Sequence, residues 1–79
     1  MNITKINEHL RTAESAIMAL AGDTIADRSG AWKAAVAAIK AAEADANTGH
    51  VRSDEQTAIR RIVVVYCEQL ERALMEVEL

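Results

Sequence analysis

The stretch IRRIVVVYCEQL, residues 59–70, decides the fold class, because its unbroken apolar run suits either a buried strand or a helix. Around this run, apolar residues recur in alternating steps of four and three up to Val77, which is a helical period. The segment Ser53–Gln56 upstream has the pattern of a helix N-terminal cap, and β-branched residues lower helix propensity only slightly. The sequence therefore predicts one long helix near residues 53–78.

The apolar positions of this helix define an inner stripe that we expect to face the core. Its members are Ile59, Val63, Tyr66, Leu70, Ala73 and Val77, widened at the edges by Ile62, Cys67 and Leu74. At 100° per residue, Val64 and Val65 fall outside the stripe. Two adjacent valines on the outer side of a helix indicate a second contact surface.

Two further helices are predicted upstream. A 3-4-3-4-3 repeat predicts a helix near residues 3–21 that ends at Gly22, and its apolar members are Ile3, Ile6, Leu10, Ala13, Ile17 and Leu20. A second helix is predicted near residues 24–47, where Thr24 and Asp27 fit a capping pattern. Ser29 and Gly30 indicate a break inside it, so a start near Ser29 remains an alternative. The inner positions of this second helix are Trp32, Ala35, Ile39, Ala42 and Ala46, with Val36 beside them.

Composition supports an all-α fold: a three-helix antiparallel bundle, or a long helical hairpin, formed by residues 1–79 as a single domain with heptad-like seams. The chain has no proline or phenylalanine, one tryptophan, one tyrosine and 16 alanines, nine of which lie within residues 31–46. Alanine favours helix but buries little area. Because a 79-residue chain also has a small core, we expect it to form a homodimer.

Charge and composition limit the partners and the compartment. The net charge of −3 gives no general attraction to nucleic acid or to anionic membrane. No apolar run approaches a membrane span or a signal-peptide core, and a single cysteine suits a reducing compartment. We therefore expect a cytoplasmic protein that does not bind membranes.

The sequence offers little for catalysis, and we expect neither an enzyme nor a bound cofactor or metal. Cys67 has no histidine within a helical turn and is interpreted as a small apolar filler. His9 and His50 lie far apart in the sequence and match no metal-ligand spacing. Glu43 and Glu14 border apolar stripes, and we interpret them as stripe-edge residues that pair with a cation or reach water. A buried acid with a raised pKa is the alternative.

Six residues are predicted to contact a partner or a second copy of the chain. They are Val64, Val65, Met75, Glu68, Glu71 and Trp32. The glutamates lie near the end of the third helix, where negative charge is unfavourable to the helix dipole. They form either an acidic surface for a basic partner, beside Val64 and Met75, or a frayed and solvated helix end.

These features favour a small protein–protein interaction module that binds and occludes a larger protein partner. In size and composition it is similar to inhibitors of host proteins that phages and mobile elements encode. The alternative is a regulator linked to nucleic acid, either a DNA-binding helical protein or an acidic mimic. Because Arg60 and Arg61 point about 100° apart on a helix, they form no single basic face, and nucleic-acid binding is the weaker hypothesis.

Overall fold

A computed structural model describes residues 2–22, 25–48 and 53–77 of the chain. Within these ranges the protein is all-α, without strands, and has three helices: α1 (Ile3–Ala21), α2 (Arg28–Asn47) and α3 (Asp54–Glu76). The valine-rich run lies in the middle of α3, so the helical interpretation of residues 59–70 is confirmed.

Each helix begins at a side chain that accepts a hydrogen bond from the first turn. Asn2 Oδ1 accepts from the Lys5 amide at 3.2 Å, Asp27 Oδ1 from the Gly30 amide at 2.9 Å, and Ser53 Oγ from the Gln56 amide at 3.2 Å. These caps satisfy amides that lack an intrahelical acceptor. They fix where the three helices start.

The predicted start of the second helix near residue 24 is wrong, because α2 begins at Arg28 and Ile25–Asp27 are not helical. Thr24 lies outside the described residues. Asp27 acts as the N-cap itself, and a Cβ at residue 30 would overlap its carboxylate. Gly30 therefore suits the first turn of α2, which continues through it without a break.

The C-terminal carbonyls of α1 and α2 receive arginines from the helix that follows. Arg28 Nη1 donates to the Leu20 carbonyl at 3.0 Å, and Arg60 Nε donates to the Ala46 carbonyl at 2.8 Å. A cation at a helix C-terminus interacts favourably with the negative end of the helix dipole, and it donates to a carbonyl that has no amide partner within the helix. Each arginine thus links two consecutive helices.

Helix α2 is central to the core. Helix α1 packs mainly against α2, and α3 also packs more extensively against α2 than against α1. Five of the six buried residues of α2 are alanines, and Ala35, Ala42 and Ala46 are completely buried. Small side chains on α2 let both neighbours approach closely, at the cost of little apolar area buried per residue.

The inner stripe of α3 differs from the prediction by a rotation of about 40° on the helical wheel. Its buried residues are Val63, Cys67, Leu70 and Leu74, whereas Tyr66 and Ala73 are only half-buried. Ile62 was expected inside the stripe and is 68% exposed. The reason is that α3 packs on α2 more than on α1, so its covered face turns towards α2.

We expect Ala35→Leu to destabilise the fold by about 1–3 kcal/mol, because a completely buried alanine between close helices leaves no space for three more carbons. Ala34→Leu is the matched control, since Ala34 is exposed on the same turn of α2 and should change stability by less than about 0.5 kcal/mol. Urea denaturation followed by circular dichroism measures both. Equal losses would contradict the packing described for α2.

We expect Arg60→Ala to cost about 1–2 kcal/mol, because it removes a charged hydrogen bond to the end of α2. Arg61→Ala is the control: Arg61 is its exposed neighbour, and its loss should be nearly neutral. Thermal denaturation of the two variants and the parent compares the effects. If Arg61→Ala proved the more damaging change, the link between α2 and α3 would not depend on Arg60.

Candidate protein-binding groove between α2 and α3

Three of the six predicted contact residues line one groove between the first half of α2 and the end of α3. Trp32 and Met75 form apolar walls, and Glu71 contributes a carboxylate. The groove is completed by Val36, Ile39, Lys40 and Leu74. Met75 is 82% exposed and Trp32 is half-buried, so this groove presents large apolar side chains to solvent.

Two more of the predicted residues belong to the same side of α3. Val64, Glu68, Glu71 and Met75 follow one another at steps of four, three and four, which places them on one helical face. Glu68 is exposed, whereas Val64 is half-buried. This face of α3 therefore combines apolar and acidic side chains beside α2.

Val65 lies apart from the other five residues. It is 52% exposed and borders a shallow apolar surface with Arg61, Ile62, Tyr66 and Gln69. The two valines singled out by the sequence thus lie on different faces of α3. Only Val64 shares the face of the groove.

A pair of carboxyl groups joins α2 to α3 near the groove. The Glu43 carboxyl is half-buried and lies close enough to the Glu71 carboxyl to share a hydrogen bond with it when protonated. Desolvation is the largest cause that raises the pKa of Glu43, followed by this hydrogen bond and by the negative charges of Glu71 and Glu68, while Lys40 opposes the rise. The pKa of Glu43 is therefore raised, as the alternative interpretation expected, but its side chain is half-buried at the edge of the stripe and not enclosed in the core.

Cys67 lies under this acidic region in the core. Its side chain is completely buried, and burial together with the charges of Glu43 and Glu71 raises the pKa of the thiol to about 11. The thiol is therefore protonated at neutral pH, which suits packing and not nucleophilic attack.

The remaining polar candidates are distributed over other parts of the molecule. His9 Nε2 lies 3.3 Å from Asp45 Oδ2, where it joins the first half of α1 to the end of α2. Glu14 is half-buried on α1. His50 and the other residues of the α2–α3 connection, 49–52, lie outside the described residues. Arg60 donates a hydrogen bond to the Ala46 carbonyl, so its guanidinium stabilises the contact between α2 and α3.

Residues 2–22, 25–48 and 53–77 hold no group of three or more metal-binding side chains close enough to share an ion. None of the helices described here has the length and hydropathy needed to cross a membrane. Comparisons with protein-family models, curated proteins and solved structures found no match.

Sequence reasoning missed three residues of the groove region: Val36 as a wall, and Lys40 and Glu43 as charged neighbours. A signal for them was available. Trp32, Val36, Lys40 and Glu43 follow one another at steps of four, four and three, so they lie along one side of α2. What the sequence does not contain is the orientation that brings this side next to Glu71.

Because the folded state raises the pKa of Glu43, it holds that proton more tightly than the unfolded chain does. The stabilisation from this proton is complete when the pH is below 4.5, the ordinary pKa of the group, and it is lost as the pH rises through the pKa of Glu43 in the folded state. At pH 7 the ionised carboxylate therefore destabilises the fold. We expect Glu43→Gln to increase stability at pH 7 by about 0.3–1 kcal/mol, with a gain that shrinks towards zero near pH 4.

Melting temperatures from pH 4 to pH 8 measure this dependence. Glu8→Gln is the control, since Glu8 is exposed on α1 and its replacement should not produce the same pH-dependent gain. A Glu43→Gln variant that is less stable than the parent at pH 7 would show that the carboxyl pair is net stabilising.

Proposed function

We propose that this protein is a small, non-enzymatic protein–protein interaction module that binds a partner protein through the α2–α3 groove. Its helices form an antiparallel bundle, and the molecule self-associates as a homodimer. The observation that carries the proposal is the exposure of Met75 beside Trp32, within an apolar groove to which Glu71 contributes a carboxylate.

The antiparallel arrangement is supported by contacts that join opposite ends of consecutive helices. His9, early in α1, contacts Asp45, late in α2. Trp32, early in α2, lines the same groove as Met75, late in α3. The connections between consecutive helices are short, and Arg28 at the start of α2 and Arg60 in the second turn of α3 contact the end of the preceding helix. Short connections of this kind favour antiparallel neighbours.

The chemistry of the groove favours a basic amphipathic helix as the partner segment. Trp32, Val36 and Met75 offer an apolar surface, and aromatic and methionine side chains are common anchors at such sites. Glu68 and Glu71 on α3 lie near Glu43, with Lys40 as a cation beside them. Binding by an apolar stripe with flanking lysines or arginines would match both features.

The electrostatics of the groove favour a cationic ligand further. The Glu43 and Glu71 carboxyl groups lie close together and Glu68 adds a third nearby, so their ionisation brings like charges together. A cation from the partner would lower this repulsion and favour the ionised form of Glu43. The same charges would repel an acidic partner.

The proposed mode of action is occlusion: the module covers a basic helical surface on a larger partner and excludes that partner's other ligands. Its small size and the paucity of catalytic groups in the sequence support this mode. Small inhibitors encoded by phages and mobile elements act in this manner, and that class is the function we propose for this chain.

Trp32 is the single tryptophan of the chain and lies in the groove, so its fluorescence reports directly on occupancy. We expect a designed peptide with leucines on one helical face and lysines on the other to shift Trp32 emission to the blue. The affinity should fall as salt concentration rises, because charge contributes to binding. An acidic peptide with the same leucine face should not bind.

Met75→Gln and Met18→Gln form a matched pair of variants, because each removes an apolar side chain without adding a charge. Both methionines are largely exposed, but only Met75 lines the groove, and Met18 lies on α1. We expect Met75→Gln to weaken peptide binding about tenfold or more, and Met18→Gln to leave it unchanged. Equal effects, or binding of duplex DNA in place of the peptide, would overturn the proposed site, and the second result would favour the nucleic-acid alternative.

A further inference from the structure

Helix α3 carries a second heptad repeat on its outer side. We call these residues the outer seam, and its members are Glu55, Ala58, Ile62, Val65, Gln69 and Arg72. They follow one another at steps of three, four, three, four and three, which is the spacing of a coiled-coil contact line. All six are exposed, and Ile62 and Val65 at its centre are 68% and 52% exposed.

The outer seam is distinct from the core stripe and from the groove. On the helical wheel its centre lies about 140° from the buried stripe and about 120° from the face that carries Glu71 and Met75. The apolar surface around Ile62 continues beyond the outer seam towards α1. Ile62 borders a groove together with Tyr66 and with Ile3 of α1, which is 46% exposed. An apolar strip of this kind on a single helix needs a covering partner.

We propose that the outer seam binds the outer seam of a second copy, with the two α3 helices antiparallel around a two-fold axis between residues 62 and 65. This inference rests on the self-association proposed above and specifies its surface and register. In this register Ile62 packs against Val65 of the second copy, and Ala58 packs against Gln69 of the second copy. Each contact occurs twice, as a two-fold interface requires.

Charge complementarity selects this register. The same pairing places Glu55 opposite Arg72 of the second copy at both ends of the interface, so opposite charges meet where the apolar centre stops. A parallel dimer in register would bring Glu55 next to Glu55 and Arg72 next to Arg72, which is repulsive. The sequence of the outer seam therefore favours the antiparallel pairing over the parallel one.

The apolar centre of the outer seam is short, so the interface should lie at the small end of specific interfaces. Two isoleucines and two valines contribute most of the apolar contact, with Ile3 and Tyr66 available at the flanks. We expect a dissociation constant in about the micromolar range, which places the monomer and the dimer together at accessible concentrations.

Sedimentation velocity over a concentration series tests the surface. Ile62→Glu should raise the dissociation constant by about tenfold or more, while its helix content stays unchanged because Ile62 is exposed. Met18→Glu should leave the dissociation constant unchanged, since Met18 is exposed on α1 and outside the seam. A dimer that Ile62→Glu does not weaken would overturn this surface.

Charge exchange tests the register. Glu55→Arg and Arg72→Glu should each weaken the dimer by about three- to tenfold, and the double variant should recover most of the parent affinity. Single variants without effect, or a double variant weaker than either single one, would overturn the antiparallel register.

A designed disulfide tests the same register independently. Ala58→Cys combined with Gln69→Cys should give a covalent dimer on oxidation, because these positions face each other across the interface. They lie about 16 Å apart along one helix, so they cannot bridge within a chain. The matched single variants should stay uncrosslinked.

The outcomes separate the proposals. A strict monomer at high micromolar concentration would overturn both the self-association and the seam. If the protein forms a dimer that Ile62→Glu does not weaken, only the outer seam is overturned. If Ile62→Glu weakens the dimer but charge exchange and crosslinking fail, only the antiparallel register is overturned. The response of Trp32 to the basic peptide tests the groove without reference to either.

Discussion

The structure depends on the close packing of α1 and α3 against the alanine surface of α2. Ala35, Ala42 and Ala46 are completely buried, so α2 itself contributes little side-chain volume to its contacts with the neighbouring helices. Such packing gives many van der Waals contacts but removes little apolar area from water. Specific links at the helix ends, such as those made by Arg28 and Arg60, therefore contribute a larger share of the stability than they would in a protein with a thick core.

The way α3 packs against α2 also explains why several large apolar side chains are exposed to solvent. With α3 turned towards α2, its opposite edge has no helix to cover it, and Ile62 and Val65 stay exposed. Met75 is exposed on the other edge, beside Trp32. These are positions where a bundle optimised for stability alone would carry polar residues. Their apolar character, like the clustered carboxylates near Glu71, supports contact with other macromolecules.

The number and type of the helices could be predicted from the sequence, because heptad spacing and helix caps are local signals. Ser53 caps the start of α3 and Gly22 caps the end of α1 through contacts within a few residues. Sequence reasoning misplaced the start of α2 because Thr24 and Asp27 match a capping pattern, whereas the helix begins at Arg28 with Asp27 itself as the N-cap. It misassigned Ile62 because a helical wheel weighs all apolar residues alike, whereas the packing against α2 decides which are covered. Five of the six predicted contact residues lie on one side of the molecule. The proximity of Glu43 to Glu71 could not be predicted, because it depends on how α2 and α3 pack against each other.

The two proposed surfaces are compatible with each other because they occupy different sides of α3. Pairing through the outer seam would leave the groove of each copy open, since the two faces lie about 120° apart around the helix. A two-fold dimer would then present two acidic grooves. A target with two basic helices, or a symmetric target, would bind both grooves at once, and the second contact would be intramolecular. Two weak contacts made by one dimer would in this way give a high overall affinity for the larger partner and cover its surface.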